Sequence, residues 1–258
     1  IWEVDFSNAN TGYAADDGGL LKTTNGGINW IKIFNRGLYR MDFTDVNTGY
    51  CSGPDTLYKT TNGGLNWTKL NYGFLTQLNE IHFINNNTGY ILANNLKKTT
   101  DGGLTWLDFP GHGGYYSECL YFYNEMLGFI GSYNYQLGWR VCRTTNGGVN
   151  WDYQTIPTVD DYIFDFYFVN STTGFFTTTG RIFKTTNSGN NWYEVYEYTD
   201  SFGYWSELWS IQFLNETVGY ATASQGKVLK TTDAGNTWKI YQSIANFGFY
   251  NMHFTDVN

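Results

Sequence analysis

Apolar and polar residues alternate along this chain in short runs, and clusters of Asn, Thr, Asp and Gly separate the runs. That is the period of half-buried strands joined by tight turns. Two strings recur in fixed phase. The first is apolar-x-Phe, an Asn/Asp-rich stretch, then a Gly-aromatic pair: VDFSNANTGY (4–13), MDFTDVNTGY (41–50), IHFINNNTGY (81–90), LYFYNEMLGF (120–129), FYFVNSTTGF (166–175) and IQFLNETVGY (211–220). The second is TTNGGINW (23–30), followed by TTNGGLNW, TTDGGLTW, TTNGGVNW, TTNSGNNW and TTDAGNTW. Its tryptophans are Trp30, Trp67, Trp106, Trp151, Trp192 and Trp238, spaced by 37, 39, 45, 41 and 46 residues.

A repeat near forty residues, made of strand-like runs, predicts an all-β propeller of four-stranded antiparallel blades. Strand A is the apolar-x-Phe run, strand B starts at the Gly-aromatic pair, strand C ends in Lys-Thr-Thr, and strand D follows the Trp. The glycine after the Asn-rich stretch is expected to supply a positive φ at the A–B turn. Approximate blades are 1–36, 37–74, 75–112, 113–157, 158–200 and 201–245. A partial repeat, 246–258, ends in MHFTDVN, a near copy of MDFTDVN at 41–47. The expectation is six complete blades plus the first strand of a seventh, within a longer polypeptide. The alternative is a six-blade ring in which 252–258 pairs with the first blade.

Composition supports this and removes other classes. Of 258 residues, 20% are aromatic and 15% charged, with 30 Gly and 3 Pro. A disordered chain is aromatic-poor and charge-rich, and a helical bundle needs Ala, Leu, Glu and Lys. Net charge is −8, which repels phosphate backbones and argues against nucleic-acid partners. No run of residues is apolar and long enough for a membrane-spanning helix. Cys51, Cys119 and Cys142 are odd in number and form no CxxC, so three free buried thiols are expected.

The Thr-x-Asp/Asn-x-Gly-x-Thr/Asn-Trp string resembles the Asp-box of bacterial neuraminidase repeats. With the Gly-aromatic strand B it looks most like secreted propellers related to the photosystem II assembly factor. Sortilin-like and xyloglucanase-like propellers share the box. The resemblance implies fold rather than function, since enzymes, receptors and assembly factors all carry it. Asn25, Asn62, Asp101, Asn146, Asn187 and Asp233 are expected to accept backbone N–H bonds within their own turns. Each box offers at most one carboxylate, against the several that a calcium site needs.

The enzymes suggested by the box lack their signatures. Pro54, Pro110 and Pro157 follow Gly53, Phe109 and Ile156, so a sialidase Arg-Ile-Pro element is missing. Arg36, Arg40, Arg140, Arg143 and Arg181 are the only arginines, and Arg143 stands where most repeats have the box Lys. A glycosidase needs two facing carboxylates. Asp160, Asp161, Glu118, Asp200 and Glu207 are candidates, with no spacing that singles out a pair. The middle residue of apolar-x-Phe is polar in each repeat: Asp5, Asp42, His82, Tyr121, Tyr167, Gln212 and His253. Asp5, Asp42, His82 and His253 could ligate a transition metal if the ring brought them together, but the ring radius keeps such residues apart, and a hydrated polar channel is the expected reading. No cofactor is expected.

The long repeats carry the remaining signal. Segments 110–118, 131–139 and 196–209 belong to D–A or B–C connections, which antiparallel order places at one end of the blades, opposite the boxes. They bring Tyr115, Tyr116, Tyr133, Tyr135, Trp139, Tyr198, Phe202, Tyr204 and Trp205 to that end, with Asp160–Phe164 expected as a floor. Exposed aromatics with a polar fringe stack sugars or anchor protein partners. The expectation is a non-catalytic binding or scaffold module of a secreted or cell-surface bacterial protein, engaging a protein partner or a glycan. The alternatives are a glycan-active hydrolase and an assembly factor for a membrane complex.

Overall fold

A computed structural model of the protein describes residues 1–53, 56–73, 78–93, 95–109, 116–156, 161–199, 206–243 and 250–254. Among them are six four-stranded sheets, each ordered A–B–C–D and antiparallel throughout. In the first blade the strands are Glu3–Phe6, Gly12–Asp16, Gly19–Thr23 and Ile31–Phe34. The later blades begin with strands A at Arg40–Phe43, Glu80–Phe83, Tyr116–Phe122, Ile163–Phe168 and Leu208–Phe213. One 3₁₀ turn, Ser224–Gly226, is the sole helical element among the described residues.

The chain forms two compact units. The first is Ile1–His112, Asn124–Gly128 and Thr144–Trp151, so it holds blades one to three with the A–B turn and box of blade four. The second is Gly113–Tyr123, Phe129–Arg143 and Asp152–Asn258, so it holds most of blade four with blades five and six.

Each box is a closed hydrogen-bonded turn. In the first, the Thr23 hydroxyl donates to Asn25 Oδ1 at 3.0 Å and accepts the Gly27 N–H at 2.9 Å, while Asn25 Oδ1 also accepts the Asn29 N–H. The same bonds recur at Asn62, Asp101, Asn146, Asn187 and Asp233. Amide and carboxylate serve alike because the turn uses only an acceptor oxygen. The two box glycines have positive φ, 69° and 85° at Gly26 and Gly27. Trp151 and Trp238 are buried, whereas Trp30, Trp67, Trp106 and Trp192 are half-buried.

The glycine of the Gly-aromatic pair has a different cause from the turn expected of it. None of Gly12, Gly49, Gly89, Gly174 and Gly219 has positive φ. Instead the strand-A Phe ring of the same blade lies over each of them. A Cβ on Gly49 would sit 2.3 Å from Phe43 Cδ1, and one on Gly89 2.3 Å from Phe83 Cδ1.

That Phe ring also joins blades. In the first unit Tyr13 stacks on Phe43 and Tyr50 on Phe83, both with centroids 3.5 Å apart. In the second unit Phe129 stacks on Phe168 at 4.6 Å and Phe175 on Phe213 at 4.5 Å. Each pair is strand B of one blade against strand A of the next. The box Trp meets the same Phe edge-on, as Trp67 does Phe43 at 87°. The strand-C cation reaches into the following box: Lys22 Nζ donates to Gly63 O at 2.7 Å and Lys184 Nζ to Ala234 O at 2.8 Å. Arg143 acts as the lysine does, donating from Nε to Ser188 O at 2.6 Å.

Strand A is an edge strand whose free N–H groups need acceptors. The polar residues of the preceding strand A supply them. Asp5 accepts the Phe43 N–H at 2.8 Å, Asp42 that of Phe83 at 2.5 Å, and Glu3 that of Met41 at 2.7 Å. In the second unit Asp165 accepts the Ile211 N–H at 3.0 Å and Gln212 that of Phe254 at 2.6 Å. Phe254 also packs on Tyr220 at 4.9 Å. Met252–Phe254 thus stands towards blade six as each strand A stands towards the blade before it, although it is paired in no sheet.

An aromatic band as the candidate functional site

Blade four builds the first part of the site. Its strands Gly128–Asn134 and Gly138–Thr144 are 7 residues each, against 4 in the corresponding strands of blades two and three. The hairpin therefore overshoots, and its tip is held by Asn134 Oδ1, which accepts the N–H groups of Gln136 and Leu137. Gly138 supplies the positive φ that closes it. Tyr133, Tyr135 and Trp139 lie on this extension.

From there a run of ring contacts crosses the second unit. Tyr135 meets Tyr133 at 5.7 Å, Tyr133 meets Trp139 at 5.6 Å, and Trp139 meets Tyr162 at 4.8 Å. Tyr162 stacks on Phe164, Phe164 meets Trp209 at 4.6 Å, and Trp209 meets Tyr250 at 5.1 Å. Tyr162 and Phe164 open blade five, Trp209 opens blade six, and Tyr250 precedes the seventh repeat. Tyr135, Tyr162 and Tyr250 are 61%, 47% and 48% exposed, while Trp139 is 4% exposed. The band thus has one buried ring, Trp139, three half-buried ones, Tyr133, Phe164 and Trp209, and three outward tyrosines.

Two of the expected contact residues are corrected. Trp139 is buried between Tyr133 and Tyr162, because the hairpin folds down onto blade five and takes the large ring out of water. Tyr198 is also 4% exposed. Its N–H donates to Gly180 O, and the Lys227 ammonium lies over its ring and donates to its hydroxyl. Tyr115, Phe202, Tyr204 and Trp205 lie outside the described residues, as does the side chain of Tyr116. Trp209 and Tyr250 are not among the expected contact residues, although Trp209 closes the 196–209 segment. Trp209 was legible as a tryptophan beside a strand A that no box consumes.

A charged group sits beside the band. Arg181, at the start of strand C of blade five, is ringed by carboxylates: Asp161 at 2.5 Å, Glu197 at 3.2 Å and Glu194 at 3.3 Å. Asp161 precedes the exposed Tyr162 in the chain and is itself buried. Glu207 accepts a bond from the Ser224 hydroxyl at 2.5 Å. Asp160 and Asp200, and the side chain of Glu118, lie outside the described residues. Asp161 and Glu207 are thus engaged, the one by the Arg181 guanidinium and the other by the Ser224 hydroxyl.

The metal reading of strand A does not fit its geometry. The Asp5 and Asp42 oxygens hold backbone N–H groups. Among the described residues no group of three or more His, Cys, Asp or Glu side chains could hold a metal ion. His82 lies in strand A of blade three, and His253 in the 252–254 segment. A polar cleft of about 620 Å³ lies at the opposite, A–B end of the first unit, lined by Thr44, Asp45, Asn85, Asn86 and Glu125 among others. Its side chains bond one another, as Asn86 does Asp45 at 2.8 Å.

Six antiparallel four-stranded blades, with essentially no helix, define a six-blade β-propeller. Solved structures share this fold. YCF48 bound to D1 peptide is 18% identical, with a TM-score of 0.72 over 93% of this chain and 80% of that one. YCF48 from Cyanidioschyzon merolae is 16% identical, with a TM-score of 0.75 over 98% and 88%. The GH74 xyloglucanase from Xanthomonas campestris is 12% identical, with a TM-score of 0.74 over 93% of this chain and 45% of the enzyme. No protein-family model and no curated protein sequence matches the chain.

Proposed function

We propose that this chain is a non-catalytic binding module that holds a segment of a protein partner against the aromatic band of its second unit. The observation that carries this reading is the unbroken contact run from Tyr135 to Tyr250, with exposed tyrosines braced by buried Trp139 and by half-buried Tyr133, Phe164 and Trp209. Amphipathic rings on a rigid support give contact area at low entropy cost. Apart from the stacked Tyr162–Phe164 pair, successive rings are inclined to one another, by 44° at Trp139–Tyr162 and 64° at Trp209–Tyr250. Such a surface offers pockets for side chains more than a flat platform for sugar faces. The engagement of Asp161 and Glu207 favours binding over hydrolysis. YCF48 bound to D1 peptide supports the reading as a propeller of the same fold with a peptide ligand. Secretion or cell-surface display is part of the proposal and rests on the resemblance of the repeats to those of secreted propellers.

The test is a random peptide display library and a glycan array, each presented to the whole chain beside a glycoside turnover assay. The reading predicts peptide recovery without turnover. Glycan binding with hydrolysis would replace it with the hydrolase reading.

A further inference from the structure

Resting on that reading, we propose that the partner segment is cationic: a Lys or Arg side chain seats at the acidic edge of the band while its apolar neighbours pack on the tyrosines. Around Arg181, three carboxylates share one guanidinium, leaving a formal surplus of two negative charges. The burial of the participants is uneven in an informative way. The Arg181 side chain is 8% exposed, and Asp161 is 2% exposed, so this pair is withdrawn from any partner. Glu194 and Glu197 are 43% and 49% exposed. The other cations of this end are withdrawn too: Arg140 is buried against Tyr153, at 4.4 Å from its ring centre, and Lys227 is committed to Tyr198. A partner arriving at the band therefore meets half-exposed carboxylates whose shared cation, Arg181, is buried behind them and outnumbered by three negative charges.

The negative edge and the rings are joined. Asp161 is bonded to Arg181 and adjoins Tyr162, and Arg181 is register partner of Glu197 across strands C and D. A seated cation would be oriented by charge, and the band would supply apolar contact. Electrostatic complementarity of this kind sets partner choice and association rate more than bulk affinity. An acidic segment would face uncompensated repulsion at the same place.

The experiment uses peptides of about twelve residues, recovered from a random library on the whole chain, then synthesised and titrated. The inference predicts enrichment of Lys and Arg among them. It predicts an affinity loss of about tenfold in Glu194→Gln/Glu197→Gln, and a similar loss in the wild type between about 50 and about 300 mM NaCl. Both glutamates are exposed and Asp161 still pairs Arg181, so the variant should fold. Recovered peptides without a basic bias, or titrations indifferent to the charge variant and to salt, would overturn the inference. If Tyr135→Ser/Tyr162→Ser still abolished binding in that case, the proposed function would stand. If that variant bound normally, the band reading would fail and the inference with it.

Discussion

The Tyr50 ring lies face to face on the Phe83 ring, with centroids 3.5 Å apart and planes within 5°. Its hydroxyl reaches the Asn86 and Gly102 carbonyls at 3.2 Å, tying blade two to the turns of blade three. Tyr50 is fully buried. Tyr50→Phe keeps the stack and removes the bonds, and is expected to cost about 1 kcal/mol. Tyr50→Ala removes both and is expected to cost about 3–5 kcal/mol. Urea unfolding of both variants checks the order, and equal losses would mean the stack contributes little.

A methyl group is expected to be unfavourable at a glycine position of either recurring string, for a different reason in each. Gly49→Ala drives a Cβ into Phe43 and is expected to destabilise by about 1–3 kcal/mol. Ala234 holds φ 59° where the first four boxes have Gly. Ala234→Gly is therefore expected to stabilise by about 1 kcal/mol. Melting curves of the two variants should move in opposite directions.

The blade repeat was readable because each blade repeats one hydrogen-bonded turn, and that turn demands Thr, Asn or Asp, Gly and Trp at fixed offsets. The sequence could not reveal why Gly precedes Tyr13, Tyr50 and Tyr90, since packing by a Phe six residues before the glycine and a turn requirement favour the same residue. The exposed aromatic band was only half legible. Loop tyrosines pointed to the end of the blades that carries the band, but burial of Trp139 and Tyr198 depends on how the long hairpin and blade five pack around them. Tyr162, Trp209 and Tyr250 come from three separate repeats, and only tertiary structure joins them.

Stability should peak at mildly acidic pH. Burial, followed by neighbouring carboxylates, raises the Glu3 and Asp42 carboxyls well above the ordinary range, and burial raises Glu80 against the opposing pull of Arg40. A raised carboxyl means the folded state keeps a proton that the unfolded chain has lost. That contribution is fully present below the ordinary carboxylate range and fades as pH rises through the raised values. Asp101 and Asp233 run the other way, lowered to about 2 by bonds from Thr105 and Thr237, and their contribution is lost as pH falls towards that value. Urea midpoints should therefore rise from neutral pH towards about pH 5. Glu3→Gln, whose amide oxygen can still accept the Met41 N–H, should flatten that rise. A midpoint that climbs steadily towards alkaline pH would contradict the assignment.

Cys51, Cys119 and Cys142 are buried thiols outside any disulfide. Burial raises the Cys51 thiol well above its usual value and pushes Cys142 up to about 12. The native protein should leave all three unreacted with a thiol reagent at neutral pH, and denaturation should release three equivalents. Fast native labelling of any of them would show that its blade opens.

The role of the aromatic band is tested most directly by titrating library-selected peptides against the wild type and Tyr135→Ser/Tyr162→Ser, with melting temperatures taken on the same samples. Both tyrosines are largely solvent-facing at the surface of the band. The account predicts a melting temperature within about 2 °C of wild type and an affinity lower by at least about tenfold, as for loss of two interface anchors. Unchanged affinity at unchanged melting temperature would contradict it, as would a collapse of the fold, which would make the rings part of the core.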